Sequence, residues 1–252
     1  MTTVRPASTS ALDRVITGYR DLTEVEQIAC ALRILADIEY NENFTGHVTW
    51  QLPGSDELLV NPWGKWWNEV TASSVSVVNL KGEVVEGNPP NDAIFIHTEL
   101  HRTRPDARVV IHNHPRYGTL LATLGLLPAI AHQAGCLFLD EMVLVDEYRG
   151  GVTDEASGQA LAAEVGNASG VILVSHGVLI TGGDMAEAVY RAITFERMCE
   201  LTYQQLQLGR EPREIAREVA LPVKSWLLAK GVAAYWDGAV RLLLERRPEV
   251  LQ

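Results

Sequence analysis

The sequence predicts an α/β layered fold on three observations. Apolar residues recur at helical spacing in some segments and alternate, or run without interruption, in others. The two kinds of segment are interleaved from about residue 23 to residue 206, and no repeat or low-complexity tract divides them. A bundle would lack the strand-like runs and a sandwich would lack the long helices, so layers of both remain.

The elements follow in order. Thr23 to Glu39 places Val25, Ile28, Ala29, Leu32 and Leu35 on one face, and Thr23 with Glu26 three residues on makes a capping box. Thr45 to Gln51 and Glu57 to Val60 alternate around Pro53-Gly54-Ser55, a hairpin pattern. Strands are expected at Ser74 to Leu80 and Glu83 to Val85, hinged by Lys81-Gly82. Ile94 to Arg104 reads as a helix that Pro105-Asp106 stops, feeding a strand at Arg108 to Ile111. Tyr117 to Leu124 reads as a helix with Pro115 near its first turn. A strand pair is expected at Cys136 to Leu139 and Met142 to Val145, then a helix at Glu155 to Glu164, a strand at Gly170 to Val174 and a long amphipathic helix at Met185 to Leu206. Past Gly209 the chain is rich in Pro, Arg and Glu before an apolar run from Val223 to Trp236. The organisation expected is an N-terminal extension at 1–21, one domain at 22–208, and a C-terminal appendage at 209–252 that packs on the body or on a neighbouring subunit.

Composition narrows the function. With 252 residues and 47% hydrophobic content the chain can bury a full core. A net charge of -11 without a lysine or arginine cluster argues against a nucleic-acid surface, because phosphate binding needs concentrated positive charge. Met1 to Ser10 lacks the apolar core of a signal peptide and no stretch approaches the roughly 20 apolar residues of a membrane span. The expectation is a cytoplasmic protein that acts on a small molecule and has no membrane partner. Cys30, Cys136 and Cys199 lie far apart in apolar surroundings and read as buried thiols.

The chemistry is carried by histidines. Val109-Val110-Ile111-His112-Asn113-His114-Pro115 places two imidazoles at i and i+2, on one face of a strand end. His176 follows a second apolar run, Val171 to Val174, and is followed by Gly177. One imidazole has many structural uses, but two forced side by side at the end of a buried strand are costly unless hydrogen-bonded or bound to a cation. Three neutral imidazoles are ligands for zinc and other late first-row metals and leave a coordination position for substrate. His112, His114 and His176 are therefore the candidate ligands of one divalent transition metal per chain, zinc or else Mn, Co, Fe or Ni.

These residues resemble the class II aldolase/adducin family. Its members carry a His-x-His-Pro-like turn and a later Asn-His-Gly-like turn, matched by His112 to Pro115 and by Ser175 to Thr181. The resemblance extends to Arg104-Pro105-Asp106, Gly46-His47-Val48-Thr49, Asn61-Pro62-Trp63-Gly64 and Ala186-Glu187-Ala188, and covers roughly Leu22 to Leu206. It implies a three-layer α/β/α domain with a central, mostly antiparallel sheet, a metal-dependent lyase site, and a homotetramer with sites at subunit boundaries.

The sequence departs from the phospho-sugar aldolases of that family. Their carboxylate acid/base stands four residues before the histidine matched by His97, and the residue there is Ala93. Their serine and threonine clusters for the sugar phosphate are replaced by Asn61-Pro62-Trp63-Gly64 and Asn88-Pro89-Pro90-Asn91. Trp63, Trp66 and Trp67 with Lys65, and Arg116-Tyr117 after the metal turn, suit a flat carboxylate, although tryptophans also serve simply to pack beneath a hairpin. Candidate substrate-binding residues are Trp63, Lys65, Arg116 and Tyr117. With Ala93 unable to move a proton, His132, His47 and Asp92 are the candidate catalytic acids or bases. His97 and His101, at i and i+4 on one helix face, are candidate partners that steady the metal ligands, with a structural role the alternative for His101. Tyr148, Tyr235 and Trp236 are weaker candidates.

The expected activity is a metal-dependent carbon-carbon lyase, a decarboxylase of a hydroxylated, in one version aromatic, carboxylic acid. The metal would chelate a substrate oxygen together with a carboxylate oxygen and stabilise an enolate. The alternatives are an aldolase or epimerase of an unphosphorylated hydroxy acid or sugar, an iron-dependent oxygenase, and a non-catalytic interaction module of the adducin kind.

Overall fold

The structure is a computed structural model and describes residues 21–40, 42 and 44–252. The expected extension at 1–21 lies outside the described residues apart from Asp21. Eight strands form one sheet in the order β4-β3-β2-β1-β5-β8-β7-β6. They are β1 (His47–Gln51), β2 (Glu57–Val60), β3 (Ser76–Asn79), β4 (Val84–Glu86), β5 (Val109–Asn113), β6 (Met142–Val145), β7 (Gly170–Leu173) and β8 (Gly177–Gly182). Among the described residues, only β6 and β7 pair in parallel. A parallel pair needs a crossover, and α4 (Glu155–Val165) supplies it between them. Every other neighbouring pair is antiparallel, as the family resemblance implies.

Strand alternation splits the core into two faces. Val109 and Ile111 of β5 and Val178 and Ile180 of β8 join a large apolar cluster with α1 (Glu24–Asp37), α3 (Arg116–Leu124), α5 (Met185–Gln207) and α7 (Val232–Arg246). Val110 and Leu179 point the other way, onto α2 (Phe95–Thr103) and α4 through Ile96, Leu100, Leu161 and Val165. Helices thus cover both faces of the sheet, giving three layers. Thr23 caps α1 as its pattern predicts: its backbone N–H donates to Glu26 Oε2 at 2.7 Å, and its hydroxyl accepts from the Glu26 N–H at 3.4 Å.

Three elements differ from the sequence reading. Cys136 to Leu139 is not a strand. Gln133–Phe138 forms a 3-10 helix, and its buried Phe138 packs edge-on against Phe195 at 5.1 Å, so the apolar run serves helix packing and not a ladder. Val178 to Thr181, quoted above only as part of a turn, is the body of β8, which pairs with β5 over five residues. The apolar run at 223–236 belongs to a long helical stretch: α6 (Arg217–Trp226) continues through a π-helical turn, Leu227–Gly231, into α7. Trp236, Val240 and Leu243 are buried against the body of the same chain, where α7 meets α1 and α5.

Register brings the histidines to one end of the sheet. β5 lies between β1 and β8 and is antiparallel to both, so its C-terminal end meets their N-terminal ends. His47 is the cross-strand partner of His112, and Asn113 is paired with Val178, two residues after His176. Arg104 braces this end-to-end arrangement from the far side: its guanidinium donates to the Gly166 and Ala168 carbonyls at 2.9 Å and pairs with Asp106 at 2.7 Å.

Candidate metal centre

His112 leaves β5 toward the α2 face, His114 follows just beyond the strand, and His176 sits in the turn between β7 and β8. One ring nitrogen from each lies within 4.8 Å of the others. Ring centroids are 5.2 Å apart for His112 and His114, 4.7 Å for His112 and His176, and 5.0 Å for His114 and His176. The turn that carries His176 is tight on both sides. Ser175 holds a left-handed φ of 58°, uncommon for a residue with a side chain. A Cβ at Gly177 would stand 2.6 Å from the Asn113 carbonyl oxygen and from His114 Cδ2, so only glycine lets the two turns approach.

Hydrogen bonds set which nitrogen each ring offers. His112 Nδ1 lies 2.9 Å from the Val178 carbonyl. A carbonyl only accepts, so Nδ1 carries the proton and Nε2 keeps its lone pair. His114 Nδ1 lies 2.9 Å from Glu42 Oε2 and is fixed in the same way. Its Nε2 is buried with no hydrogen-bond partner among the described residues, a costly state that a bound cation would relieve. Burial, then the neighbouring imidazoles, holds His112 well below its ordinary pKa. Burial and then His114 bring His176 down to about 4. His112 and His176 are therefore neutral at pH 7, so no proton need leave before they coordinate. A set of nitrogen donors only, with carboxylate and carbonyl partners behind two of them, fits zinc or another late first-row cation.

Glu42 was not visible in the sequence as part of this site. Nothing in the polar sequence around it marks it, but Asn113 ties Glu42 to the turn: its side chain donates to the Tyr40 carbonyl at 3.0 Å and accepts from the Glu42 N–H at 3.5 Å and the His114 N–H at 2.8 Å. Glu42→Gln keeps an acceptor for His114 but removes the carboxylate charge beside its ring. The expected result is roughly 10-fold weaker zinc binding in competition with a chromophoric chelator, at the lower end of such effects because Glu42 is solvent-exposed. Unchanged affinity would mean that the carboxylate does not act on the ring.

The other candidates divide. His47 stands beside the triad, its ring 5.1 Å from that of His112. Behind it runs a buried line of polar groups: His47 Nδ1 to His97 Nε2 at 2.6 Å, His97 Nδ1 to Thr49 Oγ1 at 2.7 Å, and Thr49 Oγ1 to His101 Nε2 at 2.7 Å. His97 and His101 thus back His47 and not the triad itself. Thr49 was missed in the sequence, although its place two residues after His47 on a strand puts both on one face. Tyr148 reaches His176 at 6.1 Å between ring centroids.

Asp92 is exposed at the start of a 3-10 turn and makes no hydrogen bond to the imidazole cluster among the described residues. His132 lies against α5, beside Met198 and Arg197; both ring nitrogens are buried without a hydrogen-bond partner among the described residues, and burial followed by the Arg197 charge lowers its pKa. Arg116 lies over the Tyr117 ring at 5.5 Å, and Tyr117 turns toward Tyr203 on α5, 6.1 Å away, so neither side chain faces α2. The tryptophans separate by role. Trp67 is fully buried, its indole N–H donating to the Gly46 carbonyl at 3.0 Å, while Trp63 and Trp66 are exposed. Trp63 meets Phe44 edge-on at 5.1 Å, two residues from Glu42, with Lys65 half-buried in the same turn.

An antiparallel-dominated α/β/α sheet with three imidazoles converging at its strand ends defines a class of protein able to hold one cation against a small ligand. Comparison with known sequences places it further: residues 26–203 match the class II aldolase and adducin N-terminal domain, and the chain belongs to that family. A Pseudomonas aeruginosa protein named "Putative aldolase class 2 protein" is 29% identical over 238 residues, covering 90% of each chain. The 3,4-dihydroxyphthalate decarboxylase of a Terrabacter species is 31% identical over 222 residues, covering 81% of this chain and 90% of that one. A crystal structure of an aldolase II superfamily protein from Pseudomonas syringae superposes with a TM-score of 0.80 at 26% identity, covering 96% of this chain and 99% of that one. No helix among the described residues is long and apolar enough to cross a membrane.

Proposed function

We propose that the protein is a divalent-metal-dependent decarboxylase of a hydroxylated carboxylic acid, with His112, His114 and His176 as the metal ligands. The observation that carries this reading is the composition of the cluster: three histidines converge, and among the described residues no carboxylate oxygen joins their converging ligand atoms, Glu42 standing behind His114 at its other ring nitrogen. Family aldolases use a carboxylate for proton transfer, and its place here is held by Ala93, which packs into the apolar core between sheet and α2. A relative of this chain is named as a decarboxylase of a hydroxylated aromatic acid.

A metal ion on the three imidazoles would supply a Lewis acid that steadies negative charge developing on a substrate oxygen. The chain's own groups do the rest. The bond between the carboxylate carbon and its neighbour breaks, carbon dioxide leaves, and the electron pair stays on the substrate, delocalised toward the hydroxyl or keto oxygen. A proton must then reach the carbon. His47 is the candidate acid or base that adjoins the triad within the chain, and we assign it the transfer: neutral at first, it takes the proton of the substrate hydroxyl and returns it to the carbon, a step worth roughly 10²–10⁴-fold. Trp63 and Phe44 offer an exposed aromatic edge near Glu42 for a flat substrate. The assembly is read as a homo-oligomer, a tetramer on the family pattern, in which the unpartnered His132 and the Arg116-Tyr117 face would meet a second subunit.

The test is carbon dioxide release from zinc-, manganese-, cobalt- or nickel-loaded protein with a panel of hydroxybenzoates, dihydroxyphthalates and 3-keto acids. Release above the metal-free control is expected. Aldehyde release from hydroxy acids or sugars without carbon dioxide would instead make the protein an aldolase, and oxygen uptake with ferrous iron an oxygenase.

A further inference from the structure

Of the three histidines, His114 is one that the sheet does not hold. His112 lies within β5 and its ladder, whereas His114 stands one residue past Asn113, the last paired residue, and leads through Pro115 straight into α3. From upstream its backbone is fixed by Asn113, whose side-chain oxygen accepts the His114 N–H at 2.8 Å. From downstream it depends on where α3 begins. The first bond inside that helix runs from the Thr119 N–H to the Pro115 carbonyl at 2.8 Å, so the N–H groups of Arg116, Tyr117 and Gly118 have no acceptor within it. A side chain at the N-cap commonly meets that need, and Pro115 has none to offer.

Glu196 meets it from α5, 78 residues beyond Gly118. Each of its two carboxylate oxygens accepts one N–H, from Tyr117 at 2.7 Å and from Gly118 at 2.8 Å. Both oxygens act as acceptors at once, which an ionised carboxylate does and a protonated one, with a hydrogen on one oxygen, does not. The anion also faces the positive end of the helix. Space at this point is tight: a Cβ at Gly118 would stand 2.5 Å from Val178 Cγ1 and 3.3 Å from Glu196 Oε2, so the first turn of α3 is held between β8 and the carboxylate. Val178 is also the residue whose carbonyl accepts from His112 Nδ1. The start of α3 is therefore bound against the strand residue that orients a second ligand.

We infer that Glu196 is a positioning residue for the metal site: by capping α3 with both oxygens it sets the backbone from which His114 presents its ring. Its hydrogen bonds go to the first turn of α3 and not to a ligand ring, so it acts through α3 and Pro115. The effect on metal binding rests on the site proposed above; the capping of the turn does not.

The experiment compares Glu196→Ala and Glu196→Gln with Val240→Ala, a truncation in the apolar core on α7 that destabilises the protein without removing a bond to the turn. The first arm follows amide hydrogen exchange in metal-free protein. The Tyr117 and Gly118 amides should exchange about 10-fold faster in Glu196→Ala relative to the rest of the chain, the worth of a hydrogen bond to a charged group, and Val240→Ala should not single them out. Unchanged relative protection in both Glu196 variants overturns the inference. The second arm measures zinc affinity by competition with a chromophoric chelator where every variant is folded. Glu196→Ala should bind about 10-fold more weakly than the native protein, Glu196→Gln, which keeps one acceptor oxygen, should fall between them, and Val240→Ala should match the native protein. In cobalt-loaded protein the visible absorption, which reports the arrangement of the ligands, should shift in the Glu196 variants alone. Native affinity in both Glu196 variants, or an equal loss in Val240→Ala, makes Glu196 a cap for stability only and overturns the inference; if Glu196→Ala does not fold, Glu196→Gln decides both arms. A native protein that takes up no zinc overturns the proposed function and the effect on the metal with it, while the first arm still decides the capping.

Discussion

Replacing His112 and His114 together with alanine is expected to lower the zinc content of the purified protein from about one ion per chain to background, and to remove any metal-dependent turnover with it. The double variant leaves His176 as the single member of a cluster whose three ring nitrogens lie within 4.8 Å. One imidazole cannot hold a hydrated cation that three did. The loss should also be visible without a substrate. A ligand that binds only the folded state stabilises it by an amount set by its concentration over its dissociation constant, about 2.7 kcal/mol at 100-fold excess. Zinc should therefore raise the unfolding midpoint of the native protein and leave that of the double variant where it was. Loss of the two rings does not threaten the sheet, since β5 keeps its backbone pairing with β1 and β8 through Val109, Val110 and Ile111. Full zinc occupancy in the folded double variant would show that the ion sits elsewhere and would remove the basis for the lyase reading.

The legible part of this molecule was the part written as pattern. Period-two and period-3.6 runs located α1, β1, β2, β5, α2, α4, β7 and α5 to within a few residues, because in each the buried face is continuous. The triad was legible because strand alternation fixes where residues i and i+2 point, and because His176 closes an apolar run of its own. Other features depended on tertiary context. Cys136 to Phe138 is apolar on every side because α5 and α6 cover it, and such a run does not distinguish a strand from a buried 3-10 helix. β8 was hidden by the motif that begins it. Glu42, exposed and in a loop, reaches His114 only because Asn113 bonds the loop to the turn, a link across 71 residues of sequence. The histidine chain was half legible: spacing put His97 with His101 on one helix face, but Thr49 was missed, and only the packing of α2 on β1 joins that pair to His47.

That buried chain sets the second large expectation: the metal-free protein should lose stability steeply as pH falls from 6.5 to 4.5. Burial lowers the pKa of His47 and of His101 to about 3. Unfolded, each imidazole returns to its ordinary value near 6.5. Between those limits the unfolded chain binds protons that the folded chain refuses, so acidification favours unfolding; the stabilising difference is fully kept above pH 6.5. Each histidine contributes about 1.4 kcal/mol per pH unit, so these two alone remove ~5 kcal/mol by pH 4.5, on the order of the whole stability of many domains. His97 and His112, held further down by burial, add in the same direction. Glu196 opposes them, because burial raises its pKa and its protonation on acidification relieves the folded state, but it is one group against at least four. Asp106 and Glu141, both lowered, act only nearer the carboxylate range. Guanidinium unfolding at half-unit pH steps in chelator-treated buffer should give a stability slope of two or more protons. His101→Gln, which keeps a polar side chain at the end of the chain, should reduce that slope by about one. A flat profile down to pH 4.5 would mean that these rings are accessible to protons in the folded protein, and the buried, neutral cluster described above would be wrong.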